Sequence, residues 1–592
     1  MIDVTLLFNK SNPFGISKDV EGIRKALGGG AYSLRESDPL EPPVSTNVAI
    51  HLEIPVYSWM PWATRNILVV NPEWFESAWL PYMSRFDLVI YKDPQAREEA
   101  IAAGIVTAEK SVVVPWGLDE AAETGSGSAT GKKIPTGNAN TGFVWFLGGS
   151  RNKRAAVAPL VALWKDTYPP LRIYAVEPLT LKDASGNELA LPSNVRIEVK
   201  DIEAPTRLAL SRFFRGHVAC SKAEGFGYTA AEAEWAGAFT ILNDLPVYRA
   251  AYAGEPGVHI LPSLEEGAAA ALDSAITAFE ATDFTALAKQ RKLRAMERWD
   301  DFKAGFRAAV DVQAKDTQKV KHLPPIVTPA ECPPISIVTL LYNRRKFFDL
   351  ACHNIMITDY PKDKIEWIIV EDSDDPMEDA SDRVMAVAAT SEPVRIVYVP
   401  LKKKHTVGAK RNIGVERATA DIVVMMDDDD HYPETSIRRR VAWLTAHPWG
   451  VQAVAATTIA CYDLVHGVSA VNSPPFTLPL SQRVSEATLA FRRSLWEARK
   501  FPADVQVGEG EGFLAGREHE VLEIPPQQAI VAFSHGKNAS SRRLPSGEGL
   551  KPGCFWGFPA PFLKFIHELA GVKVVAEEEE GGSSSSQKGK KK

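Results

Sequence analysis

The sequence predicts an α/β protein built from successive, largely parallel sheets. Three observations carry this. Short runs such as NILVV, FVWFL and DIVVMMD are apolar throughout rather than alternating, as strands covered on both faces are. Helical stretches separate these runs, which is the βα pattern of a parallel sheet. The composition, 45% hydrophobic and 24% charged over 592 residues, is ordinary for globular domains and leaves ample chain for several cores.

Charge and cysteine usage narrow the class. The net charge of −7, from 74 acidic and 67 basic residues, excludes bulk attraction to nucleic acid or an anionic membrane as the main theme. Cys220, Cys332, Cys352, Cys461 and Cys554 lie far apart without paired or zinc-type spacing, and read as reduced, packing thiols. No apolar run approaches the ~18 residues of a membrane helix. The opening MIDVTLLFNKSNPFG lacks the pattern of a signal peptide. The expectation is a cytoplasmic protein with no transmembrane segment and no nucleic-acid partner.

The first segment, 1–121, opens with the strand VTLLFN, a Pro-Phe-Gly turn and a helix from Ser17, as its cap, to Leu27. NVAIHLEI, NILVV, DLVIYK and SVVVPW follow as buried strands, with DPQAREEAIAAG a helix between the last two. Residues 122–142, rich in Gly, Ser, Thr and Asn, read as a flexible linker. A second alternating segment, 143–313, holds the strands FVWFL, LRIYAV, VRIEV, HVAC, FTIL and VHIL. RAAVAPLVALW and PTRLALSRFF are helices between them, and FTALAKQRKLRAMERWDDFKAGFRAAV is a long closing helix. This pattern fits two Rossmann-like domains around a cleft, or two unrelated ones. Residues 314–334 are polar, then proline-rich, and read as a semi-rigid connector. The third segment, 335–561, has the strands ISIVTLL, IEWIIVE, VRIVYVPL and DIVVMMD. The extension 562–592 ends in a charge block and low complexity, expected to be disordered from about residue 577.

AEGFGYTAAEAEWAG is the most informative stretch of the second segment. It places Gly225, Phe226 and Gly227 at a strand-to-helix turn, with Glu224 before the helix and Glu232 about two turns into it. Backbone N–H groups at such a turn and the helix N-terminus suit a diphosphate. One carboxylate is then placed for a sugar and the other for ribose hydroxyls; two solvated glutamates at a glycine turn is the alternative. The pair resembles the paired-glutamate signature of retaining GT-B glycosyltransferases. The resemblance extends to GISKDVEGIRKAL, with Gly15, after the first strand, and to LGGSRNKRAA after FVWFL. It implies donor-binding by Gly15, Gly225, Phe226, Gly227 and Glu232, with Arg151 and Lys153 (or Arg154) on the donor diphosphate. It further implies Glu224 at the reacting sugar and retaining transfer without a metal.

DIVVMMDDDDHY is the strong signal of the third segment. Asp427 to Asp430 end an apolar strand, and four adjacent carboxylates repel one another unless a cation offsets the cost. Oxygen-only ligands favour Mg²⁺ or Mn²⁺ bridging to a diphosphate, with a solvated acidic loop the alternative. The surroundings resemble GT-A transferases of the large, mostly inverting family that includes cellulose, chitin and hyaluronan synthases. VTLLYNRR carries Thr339, Asn343 and Arg344, VEDSDD carries Asp372, and VGAKRNIG carries Lys410, Arg411 and Asn412. The resemblance implies donor-binding by all seven, and metal-binding by Asp427, Asp428, Asp429 and the His535 of FSHGKN. SEATLAFRRSLWEARKF resembles the acceptor-side region. The family's base motif is Gly-Glu-Asp, two residues, then Phe; here GEGEGF puts Gly510 at the Asp position. Glu509 or Glu511 is then the candidate base, since inversion needs a carboxylate to deprotonate the acceptor hydroxyl.

Two weaker signals remain. LKKKH, residues 401–405, is a positive rim or a solvated turn, and HLEIP and VVNPEWF place His51 and Glu53 at strand ends facing the first cleft. The expectation is a bifunctional enzyme using two nucleotide-sugar donors and a glycan or other hydroxyl acceptor, with one catalytic module and one acceptor-holding scaffold as the alternative.

Overall fold

The computed structural model describes residues 1–12, 15–119, 140–182, 185–264, 266–320, 323–526, 529–535, 538, 553–554 and 556–572. Most of the expected linker, the Pro-Phe-Gly turn and the expected disordered tail lie outside the described residues. Two compact units, Met1–Leu323 and Pro324–Lys592, make up the chain.

The first unit holds two parallel six-stranded sheets, the arrangement expected of a GT-B fold. One consists of β1 (Ile2–Leu7), β2 (Tyr32–Ser37), β3 (Thr46–Leu52), β4 (Ala63–Val69), β5 (Leu88–Tyr91) and β6 (Ser111–Val113), ordered β2-β1-β3-β4-β5-β6. The other consists of β7 (Asn140–Gly148), β8 (Leu171–Ala175), β9 (Val195–Val199), β10 (Phe214–Val218), β11 (Phe239–Asn243) and β12 (Val258–Leu261), ordered β12-β11-β10-β7-β8-β9. Strand order reverses between β1 and β3 and between β7 and β10. Crevices at the carboxyl ends of those strands are where open α/β sheets take ligands.

Helices α1 (Ile16–Leu27), α2 (Pro94–Ala102), α3 (Arg151–Leu163), α4 (Ala204–Phe213), α5 (Tyr228–Trp235), α6 (Pro246–Tyr252), α7 (Ala269–Glu280) and α8 (Phe284–Ala314) cover the sheets. Helix α1 starts one residue before the expected cap: Gly15 is its N-cap, with no side-chain cap bond, and Ser17 lies inside it. Along α8, Trp299, Phe302, Phe306 and Val310 recur at helical spacing and bury with Val4, Ile23 and Ile50 of the first sheet's layer. The chain thus crosses back, and the end of the second segment completes the core of the first.

The second unit is built on a seven-stranded mixed sheet. Its strands β13 (Ile335–Leu341), β14 (Ile365–Glu371), β15 (Arg395–Pro400) and β16 (Ile422–Met425) run parallel in the order β15-β14-β13-β16. Beyond β17 (Ala453–Ala455), β18 (Ile459–Asp463), β19 (Val468–Asn472), β20 (Ala490–Arg492), β21 (Val521–Glu523) and β22 (Val531–Ser534), the sheet continues β16-β20-β17-β21, with β20 antiparallel to β16. Strands β19-β18-β22 form a small separate sheet. The helices are α9 (Phe348–Ile357), α10 (Ser381–Ala388), α11 (Val407–Arg417), α12 (Ser436–Ala446), α13 (Leu480–Arg483), α14 (Arg493–Ala498), α15 (Glu509–Leu514) and α16 (Ala560–Leu569). Helix α16 buries Ile566 beside Phe347, Tyr462 and Phe533. Among the described residues no helix is long and apolar enough to cross a membrane.

Candidate functional site

In the second unit the acidic run sits at the carboxyl end of β16, beside β13, where the strand order reverses. The loop is pinned from several sides. Asp427 N–H donates to the Tyr432 hydroxyl (2.8 Å), which donates to Ala487 O (3.0 Å). Asp430 Oδ1 accepts Phe533 N–H (2.9 Å), and its carbonyl accepts Asn354 Nδ2 (2.8 Å). Carboxylate oxygens of Asp427, Asp429 and Asp430 thereby come within 4.8 Å of one another. Burial pushes the Asp427 carboxyl up to about 6 and that of Asp428 to about 8, against the pull of Arg411 and Arg344 respectively.

Of the expected Asp427, Asp428, Asp429 and His535, the cluster contains Asp427 and Asp429, while Asp428 and His535 stand beside it. Asp430 joins the cluster, whereas Asp428 turns to Arg344, whose Nη1 lies 2.9 Å from its Oδ1 and also donates to Asp429. The other oxygen of Asp428 is buried without a hydrogen-bond partner. His535 stacks on Phe347 and places Nε2 3.0 Å from Asp429 Oδ2, with Asn538 Nδ2 3.3 Å from the same oxygen. An all-carboxylate cluster, with the Asp427 carboxyl raised and an orphaned Asp428 oxygen beside it, fits a hard divalent cation, which would remove the repulsion.

A cavity of about 540 Å³ opens over this cluster. Arg344, Asp372, Lys410 and Arg411, four of the expected donor residues, line it, and so does the candidate base Glu509. Lys410 bonds Asp372 and donates to Leu341 O (2.7 Å); Arg411 Nε donates to Glu509 Oε1 (2.6 Å) and its Nη2 lies 3.6 Å from Asp427. Three expected donor residues bond neighbouring strand and loop groups. The buried Thr339 hydroxyl accepts Trp367 Nε1 (2.9 Å). Asn343 spends its amide on the 373–375 turn, and Asn412 holds Trp496 and Phe501. Of the two candidate bases, Glu511 is exposed and bonds Gln482 (2.7 Å). Glu486 lies in SEATLAFRRSLWEARKF, the expected acceptor-side region, where sequence reasoning did not name it as a site residue. It lines the cavity beside Glu509, and burial and the Glu509 charge push its carboxyl up to about 7 against the opposing Arg411.

The first unit assembles a second polar site from the carboxyl ends of its sheets. Glu224 lies 3.5 Å from Lys153 Nζ, which donates to Thr229 Oγ1 (2.9 Å). Arg151 is exposed and Arg154 pairs with Glu177, so Lys153 is the basic residue beside Glu224. Gly227 has φ +86, and a Cβ there would stand 2.3 Å from the Tyr248 ring. Gly225 packs so closely that a Cβ would lie 1.6 Å from Asn71 Oδ1, and its N–H donates to Glu73 Oε1 (3.2 Å). Glu224 Oε1, Asn71 Oδ1 and the Tyr248 hydroxyl are buried without hydrogen-bond partners. Such orphans suit a polar ligand that brings its own hydroxyls.

Other expected residues of this unit do different work. Phe226 is buried in the core with Trp116 and Trp299. Gly15 lies against the Tyr228 ring, whose hydroxyl bonds Asp19. Glu232 accepts from Lys18 of α1 and Arg207 of α4, tying together helices of both sheets. His51 is buried with both ring nitrogens engaged, by Asn66 and by Val56 N–H, and burial lowers it to about 4. Glu53 bonds Asn71 Nδ2 at 3.2 Å.

Residues 336–469 match the family model "Glycosyl transferase family 2". No curated protein matches the chain. Among solved structures, the mannosyltransferase PcManGT from Pyrobaculum calidifontis in complex with GDP-Man and Mn²⁺ is similar at 22% identity and TM-score 0.27, over 35% of this chain and 58% of that one. S. aureus TarS 1–349 in complex with UDP-GlcNAc is similar at 16% identity and TM-score 0.27, over 36% and 62%. Sucrose-phosphate synthase from Thermosynechococcus elongatus is similar at 14% identity and TM-score 0.37, over 53% and 98%. The chain therefore spans about three fifths of the first two. The acidic cluster, the cavity above it and the β15-β14-β13-β16 sheet lie within or against residues 336–469, the stretch that matches the family 2 model.

Proposed function

We propose that the protein is a cytoplasmic, bifunctional glycosyltransferase. In the second unit, Asp427, Asp429 and Asp430 hold Mn²⁺ or Mg²⁺, with Asp428 and His535 beside them. The bound cation would neutralise the diphosphate of a nucleotide-sugar donor and its developing charge. Arg344, Lys410 and Arg411 add fixed positive charge to the cavity, and Asp372 supplies a carboxylate at its inner wall. The transfer inverts the anomeric carbon, to a glycan or other hydroxyl acceptor. The observation that carries this reading is the convergence of three carboxylates within 4.8 Å at the strand-order reversal of a family 2 domain.

In the first unit we read a retaining, metal-independent transferase, with Glu224 at the sugar and Lys153 at the diphosphate. The buried oxygens of Asn71 and Tyr248, which lack hydrogen-bond partners, and the Glu224 carboxylate beside Lys153 support a sugar-binding cleft. One observation favours the second reading, in which this unit holds the acceptor without reacting. Glu232, expected on ribose hydroxyls, is already engaged by Lys18 and Arg207. The test uses the full chain and its D429N and E224Q variants on a nucleotide-sugar panel, with Mn²⁺ or with EDTA, reading product configuration by NMR. An inverted product lost in D429N and EDTA, and a retained product lost only in E224Q, are expected. Loss of all activity in EDTA would leave the first unit a holder, and activity surviving in D429N with EDTA but yielding only inverted product would overturn both assignments.

A further inference from the structure

The carboxylates lining the cavity of the second unit are Asp372, Asp427, Asp428, Asp429, Glu486 and Glu509. Most are committed. Asp372 is paired with Lys410, Asp428 with Arg344 and Glu509 with Arg411, while Asp427 and Asp429 belong to the acidic cluster. Among the described residues Glu486 makes no ion pair; its Oε1 accepts the Gly510 N–H at 3.1 Å.

Position 510 explains how Glu486 comes to sit there. A Cβ on Gly510 would stand 2.7 Å from Glu486 Cγ and 2.7 Å from its Oε1, well inside contact distance. The missing side chain on α15 is the space that the Glu486 side chain fills. The carboxylate enters from the short segment before β20 and is held at the cavity wall by the backbone of α15.

We propose that Glu486 is the general base of the transfer in the second unit, an inference that rests on reading this cavity as the donor site. As the acceptor oxygen bonds to the anomeric carbon, its O–H bond breaks and the proton passes to the Glu486 carboxylate. The anomeric C–O bond to the nucleoside diphosphate breaks, and its electron pair leaves on the phosphate oxygen. A carboxyl raised to about 7 by burial and by Glu509, and opposed by Arg411, is ionised in useful amount near neutrality yet basic enough to take that proton. Glu509, held by Arg411, is a positioning residue that keeps Glu486 basic.

The experiment compares the full-length wild type with E486Q, E486A and E486A/G510D in Mn²⁺. UDP-glucose, UDP-N-acetylglucosamine and GDP-mannose are offered with water and with simple saccharide acceptors. Nucleoside diphosphate release is read against pH, and UDP and GDP binding by calorimetry. E486Q is expected to bind nucleotide as the wild type does and to turn over ~100-fold or more slowly, without the acid limb near pH 7. E486A/G510D, which moves a carboxylate into the vacated space, is expected to recover roughly tenfold or more over E486A. Wild-type turnover with E486Q unimpaired, or no rescue by the relocated aspartate, overturns the base assignment alone. A wild type that releases no nucleoside diphosphate from any donor overturns the reading on which it rests.

Discussion

Replacing Glu232 by Gln removes the charge that ties α1 to α4 in the first unit. Glu232 is 2% exposed, so burial by itself pushes its carboxyl up; Arg207 and Lys18 more than offset that and pull it to about 2, from an ordinary 4.5. A gap of about 2.5 pH units corresponds to about 3 kcal/mol at neutral pH. The Lys18 and Arg207 side chains are 28% and 31% exposed, and solvent screening brings the expected loss to about 2–3 kcal/mol. The folded value lies below the unfolded one, so this stability is fully present above about pH 4.5 and is lost as pH falls through about 2. Denaturant unfolding of the full chain, followed at pH 7 and pH 3, reads it. E232Q should lose about 2–3 kcal/mol in the first unit at pH 7, and the gap from wild type should shrink by about half or more at pH 3. A gap that does not change between the two pH values would refute the electrostatic account, as would a variant as stable as wild type at pH 7.

Three further outcomes are expected. D429N should abolish the thermal shift that UDP or GDP produces only with Mn²⁺, while its melting without ligand stays cooperative. G225A should cost about 1–3 kcal/mol by overpacking against Asn71, and the N71A background should recover most of it in the same unfolding assay. Limited proteolysis should cut between Lys315 and Pro334 and leave two resistant fragments, identified by mass, because the compact units meet at Leu323 and Pro324 in sequence.

The parallel strands were legible because their burial is nearly uniform. β3, β13, β14 and β16 are covered on both faces along nearly their whole length, as is the ILV end of β4, and their mostly apolar sequences show it. β2 was not, since YSLRES at a sheet edge is mostly polar and only partly buried. The three-residue strands β17, β20 and β21 are too short to carry a period; pairing fixed them, antiparallel along β20 and parallel between β17 and β21. The return of α8 to the first sheet's core could not be read locally, because an apolar stripe does not say which sheet it faces.

At the candidate sites, strand-end placement brought out the acidic run and the glycine turn. The sequence could not separate residues that face the cavity from those that support it. Thr339, Asn343 and Asn412 have the polarity of donor ligands and spend it on neighbouring backbone and indole groups. Asp428 and Asp430 lie two residues apart and are chemically identical; Asp428 turns to Arg344, whereas the Phe533 N–H fixes Asp430 in the cluster. Glu486 stood inside the acceptor-side segment SEATLAFRRSLWEARKF, but only the empty position at Gly510 singles it out from its neighbours.

The central claim is a metal-dependent nucleotide-sugar transferase site at Asp427, Asp429 and Asp430. Its most direct test is nucleoside diphosphate release from a nucleotide-sugar panel by the full chain, with Mn²⁺ and with EDTA, in wild type and D429N. Release that needs Mn²⁺ in the wild type and disappears in D429N is the predicted result. Release in D429N that remains Mn²⁺-dependent and equal to wild type would contradict it.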